Sequence, residues 1–198
     1  MPQPEPFASL VQDHRTIAEF MAEVRGTAEE AVRDPDDAEL VAAMLERLSD
    51  LEAFLANDLA IHIAKEEQVL FPALRTFAEE VRVVDEMVVQ HDMVRERQSL
   101  LVRTLAMLDG HHDEVETERQ QLAAHLNRVA AGAPSDVLTA LLDIVRRLDW
   151  ILQGHFGDEE DSLFAPSEAL LSPDVLADLS RRMTAIGERE RGTEHGGR

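Results

Sequence analysis

Leu48, Leu55, His62 and Val69 recur at intervals of seven, and so do Leu141, Leu148 and His155. A second seam of the later stretch, Leu138, Val145, Leu152 and Glu159, keeps the same interval. Seven residues are close to two α-helical turns, so each set runs along one side of a helix that another element must cover. Such rods are the core-facing helices of a bundle. At His62, Glu66, His155 and Glu159, however, polar ligand-type side chains stand where the pattern asks for leucine. That exchange constrains the chain more than any other feature.

The two exchanged stretches nearly repeat each other. His62-Ile-Ala-Lys-Glu66-Glu67-Gln-Val-Leu70-Phe71-Pro72 and His155-Phe-Gly-Asp-Glu159-Glu160-Asp-Ser-Leu163-Phe164-Ala-Pro166 both read H-x-x-x-E-E-x-x-L-F with a proline close behind. Residues i and i+4 share a helix face, so each histidine projects beside its own first glutamate.

Other stripes extend the pattern. Leu10, His14, Ile17, Met21, Val24 and Ala28 predict a helix over 7–32, and the rod with His62 covers 38–70. Val84, Met87, His91, Val94, Leu101, Leu105 and Leu108 predict one over 81–108, and the rod with His155 covers 136–161. Asp34-Pro35-Asp36-Asp37 separates the first two and offers an N-cap. Pro72 is expected to end or kink the second rod at Phe71. Gly110-His111-His112-Asp113 reads as a loop, followed by an extra amphipathic helix over 114–131. Gly132 to Ser135 is a second break.

The expected fold is all-α: an antiparallel up-down four-helix bundle over 1–170, built from two helix-pair repeats with the extra helix near 114–131. A C-terminal helix and a disordered tail follow over 171–198. His14 precedes His62 by 48 residues and His91 precedes His155 by 64, which places an insertion near 111–131.

Composition narrows the function. There is no cysteine, which removes disulfides, thiolate nucleophiles and iron–sulfur clusters. Net charge is −21, which argues against nucleic acid and anionic membranes as partners. The start MPQPEPFASL lacks the basic and apolar segments of a signal peptide, so a cytoplasmic setting is expected.

A lone core histidine is more often packing than ligand. Here four histidines and two glutamates all fall on core stripes. Burying isolated carboxylates costs several kcal/mol each, and these stripes supply no lysine or arginine beside them. A pair of cations answers that cost. Imidazole and carboxylate together suit iron, with manganese or zinc next. The expected ligands are His14, His62, Glu66, His91, His155 and Glu159. Glu66 and Glu159 would bridge two iron ions together with an oxide, hydroxide or water. Glu67 and Glu160, about 100° further round, are expected to face solvent or a second layer. His111, His112 and His195 are read as surface residues, His125 as the edge of an interface. Met21, Met44, Met87, Met93 and Met107 are read as core filler, Trp150 as packing.

The order His14, His62-x-x-x-Glu66, His91, His155-x-x-x-Glu159, with Leu-Phe and proline after each doublet, resembles the hemerythrin-like, HHE cation-binding domains over roughly residues 8–166. The resemblance implies a non-haem diiron centre in an up-down bundle that handles dioxygen, peroxide, nitric oxide or iron. Oxygen-carrying members place a second histidine one turn after the third-helix ligand, where this chain has Arg95. They also put a carboxylate five residues after the last-helix histidine, where Glu160 competes with Glu159 here. A site richer in carboxylate favours oxidised iron and peroxide chemistry. The expectation is therefore a catalase-like oxidoreductase, with binding or sensing of dioxygen, nitric oxide or iron as the alternative.

Overall fold

The computed structural model describes residues 6–87, 92–129 and 135–195, with side-chain surroundings for 6–79, 99–128 and 136–191. No strand occurs among the described residues. The helices are α1 (Pro6–Arg33), α2 (Ala38–Phe54), α3 (Ala60–Lys65), α4 (Phe71–Met87), α5 (Asp92–Val129), α6 (Ser135–Asp158), α7 (Ala165–Leu170) and α8 (Pro173–His195). Three π-helical turns interrupt them: π1 (Leu55–Leu59), π2 (Glu66–Leu70) and π3 (Glu159–Phe164).

The expected cap between α1 and α2 is present. Asp37 accepts hydrogen bonds from the backbone N–H groups of Glu39 at 2.9 Å and Leu40 at 3.2 Å. Before α8, the Ser172 hydroxyl plays a similar part, accepting from the backbone N–H of Val175 at 3.4 Å.

Four local expectations need correction. Pro72 does not end its helix; the rod runs on from π2 into α4. A proline has no N–H to give to the carbonyl four residues back and its ring crowds that carbonyl. For Pro72 that residue is Gln68, inside π2, and for Pro166 it is Ser162, inside π3. Both turns have already left regular α bonding: the N–H of Phe71 reaches the carbonyl of Glu66, five residues back. In π1 the Asn57 side-chain amide donates to the carbonyl of Ala53 at 2.8 Å.

The second correction concerns residues 110–131. They hold no loop and no separate helix as far as Val129, because α5 is continuous from Asp92. Gly110 costs a helix about 1 kcal/mol, which a buried stripe on either side offsets. Leu101, Leu105, Leu108, His112, Val115 and Leu122 are all buried, and they keep helical steps straight through the glycine. Third, the tail expected to be disordered from Gly187 is helical to His195. Fourth, Trp150 is 75 % exposed and Met107 41 % exposed, so neither is core filler, whereas Met21 and Met44 are buried as expected.

The chain divides into two compact units. One comprises Met1–Gln12, Ile61–Gly110 and His155–Arg198; the other comprises Asp13–Ala60 and His111–Gly154. The first has an apolar core that joins Phe7 and Leu10 to Leu70, Phe71, Leu74, Leu105, Leu163, Phe164, Leu179 and Met183. Phe7 and Phe164 stack with ring centroids 5.0 Å apart. The guanidinium of Arg75 lies over the Phe71 ring and pairs with Asp109.

The second unit ties its helices with ion pairs. Arg25 of α1 bonds Asp149 of α6, whose other oxygen accepts from Gln153 at 2.8 Å. Arg146 reaches Glu29 at 3.1 Å, Arg147 reaches the buried Glu118 at 2.7 Å, and Arg119 reaches Glu52 at 2.9 Å. Phe20 packs on Phe54 with centroids 4.9 Å apart.

Candidate metal centre

Glu66 opens π2 and Glu159 opens π3, each four residues after its histidine. Both carboxylates have 0 % exposure, and His62 and His155 are buried with them. Nε2 of His62 lies 2.8 Å from Oε1 of Glu66. Nε2 of His155 lies 3.9 Å from Oε2 of the same carboxylate and 3.5 Å from Oε2 of Glu159. Glu66 therefore turns one oxygen to each imidazole. The Phe156 ring stands edge-on to both, with centroids 6.1 Å from His62 and 5.8 Å from His155.

His14, His62, Glu66 and Glu159 each offer a ligand atom, and these atoms lie within 4.8 Å of one another. Glu66, His112 and His155 form a second such group. Glu66 is common to both. Neighbouring ligands on a first-row ion with bonds of roughly 2.1 Å stand roughly 3 Å apart, and opposite ones roughly 4.2 Å. The donor set of imidazoles and carboxylates, together with this spacing, fits a transition-metal ion in each group.

His112 was taken from sequence for a loop residue. It is 6 % exposed on the inner stripe of α5, and its position four residues after Leu108 and three before Val115 is the signal that could have revealed it. His91 lies outside the described residues. Glu67 is exposed and Glu160 half-buried, while His111 and His125 are both half-buried. Nδ1 of His125, protonated, donates to the Gln121 carbonyl at 2.9 Å.

Comparison with known families bears on this arrangement. The hemerythrin HHE cation binding domain matches residues 5–107 and matches again over 103–192. The chain belongs to this family. No curated protein matches the chain. The double match also reorganises the internal repeat of this HHE chain. His14 lies nine residues into the first match and His112 nine residues into the second (14 less 5, and 112 less 103). From His112 to His155 is 43 residues, against 48 from His14 to His62. With His112 opening the second repeat, no inserted helix is needed to relate the halves. The hemerythrin-like fold and a candidate cation site made of histidine and glutamate thus stand together.

Proposed function

We propose that this HHE protein would hold two iron ions and decompose hydrogen peroxide, with Glu66 shared by the two ligand groups and Glu159 in the first. The observation that carries the reading is a pair of fully buried glutamates flanked by buried imidazoles, in two ligand groups that share Glu66. His14 and His62 serve one ion and His155 with His112 the other. His91, expected from sequence, is the competing candidate for the last imidazole.

Iron, when bound there, would supply the redox chemistry by which two peroxides become one dioxygen and two waters. The chain supplies the rest. The carboxylates bring two negative charges that favour the more oxidised metal, and Phe156 fixes the planes of His62 and His155. Leu70, Phe71, Leu163 and Phe164, all buried, exclude water from the turns behind the glutamates. Small ligands such as dioxygen, peroxide or nitric oxide are the fitting partners.

Elemental analysis of protein purified without added metal tests the centre, with two irons per chain expected. Oxygen evolution from peroxide tests the activity, which the double variant His62→Ala, Glu159→Ala should abolish; equal rates would end the proposal. His112→Ala is expected to lower the metal content and His91→Ala to leave it. The reverse result returns the ligand role to His91.

A further inference from the structure

The first unit contains a cavity of about 320 Å³ that the metal chemistry does not use. Its apolar walls are Leu74, Phe77, Leu101 and Leu171, and two hydroxyl residues, Ser162 and Ser167, join them. Leu100 and Leu170 stand at the rim, 47 % and 43 % exposed, the kind of large apolar exposure that a folded surface normally limits. Ser167 itself is buried.

The lining chemistry selects among ligands. No acidic, basic or histidine side chain lies among the described residues that line the cavity. A charged headgroup would enter without a counter-charge, and the chain's net −21 adds a field that repels anions. Fatty carboxylates and phospholipids are therefore disfavoured. A neutral body gains the burial of its apolar surface, and the two serines give it one polar anchor. At about 30 Å³ of space per non-hydrogen atom, the volume suits an occupant of about ten such atoms.

We infer that this cavity binds a neutral amphiphile, with an aliphatic or single-ring body and one hydroxyl or carbonyl group. Ser162 belongs to π3, the turn that Glu159 opens, so the occupant rests against the segment carrying that carboxylate. The inference does not depend on the metal reading.

2-Naphthol, a neutral fluorescent dye of eleven non-hydrogen atoms with one hydroxyl, matches that volume and is the probe. Saturable fluorescence enhancement is expected with the full chain, with and without added iron, and equally in Glu159→Gln. Ala169→Trp and Leu100→Trp place bulk at the exposed rim, where folding is least affected, and each should weaken dye affinity at least tenfold. Decan-1-ol should displace the dye at a concentration at least tenfold below that needed for decanoate. Absence of saturable binding, or unchanged affinity in both rim variants, overturns the site. Equal displacement by the alcohol and the carboxylate overturns its neutral class.

Discussion

Replacing Glu159 by glutamine in the metal-free protein should raise its melting temperature. The side chain is fully buried, and an ionised carboxylate there forfeits several kcal/mol of hydration. One imidazole nitrogen, Nε2 of His155, lies 3.5 Å from it. A Glu66 oxygen is close as well, since the ligand atoms of that group fall within 4.8 Å of one another. Two unit charges at that distance repel by about 3 kcal/mol at an effective dielectric constant near 20. Glutamine keeps the shape and removes the charge. Allowing for the lost attraction to His155, the net gain is about 1–3 kcal/mol, or roughly 3–10 °C for a chain of this size. Iron should then reverse the order. It stabilises the parent by mass action and does so far less in the variant, which lacks one anionic ligand. Calorimetry of both proteins, with chelator and with iron, gives four melting temperatures. If Glu159→Gln melts lower than the parent in chelator, or gains as much from iron, the carboxylate is not held in place for a cation and the reasoning fails.

Further substitutions report on separate parts of the molecule. Arg25→Ala strands the buried Asp149 with Gln153 alone and should lower stability by about 1–3 kcal/mol, more than Asp149→Asn does, as read by urea unfolding. Glu116 is held below the usual carboxylate range, chiefly by the hydrogen bond from Arg119 and next by that from Gln120. Its contribution is therefore present above the unfolded-state pKa and lost as pH falls through the lower folded value. With the side chain half exposed, Glu116→Gln should remove no more than about 0.5 kcal/mol of the acid-induced loss of stability. Pro72→Ala and Pro166→Ala restore an N–H that can close a regular α turn onto Gln68 or Ser162. Each should weaken iron binding several-fold while leaving melting of the metal-free chain unchanged or higher, and unaltered iron affinity would count against a role for the π turns.

Much of the fold was legible because its signal is a period. The stripes through Leu10, Leu48, Leu105 and Leu148 place buried residues correctly, and the exchange of leucine for His62, Glu66, His155 and Glu159 marks the positions that the structure buries together. What was missed came from giving punctuation more weight than period. Gly110 followed by two histidines looks like a loop, yet the stripe through Leu108, His112 and Val115 never breaks, and tertiary burial outweighs the glycine's propensity. The same weighting hides His112, which the structure buries. Trp150 was misjudged for another reason. Helical position sets exposure before side-chain hydrophobicity does, and Trp150 follows the buried Leu148 and Asp149 onto the outer face.

Pro72 and Pro166 close the two signatures, and at Pro72 the first of the two outcomes the sequence offers, an end to the helix, does not occur. They stand where regular α bonding fails, but the failure is absorbed upstream rather than ending the helix. A π turn carries five backbone hydrogen-bond steps instead of four, so it loosens the ladder without cutting it. Glu66 and Glu159 each open such a turn. A glutamate there has a regular helical turn before it, which fixes its face relative to the histidine four residues back. The turn after it is wider, and less bound to keep neighbouring residues in α register. The histidine, the glutamate and the proline of each signature are thus one device. The first two offer donor atoms to the candidate metal site, and the third removes the N–H that would close an ordinary α turn beside them.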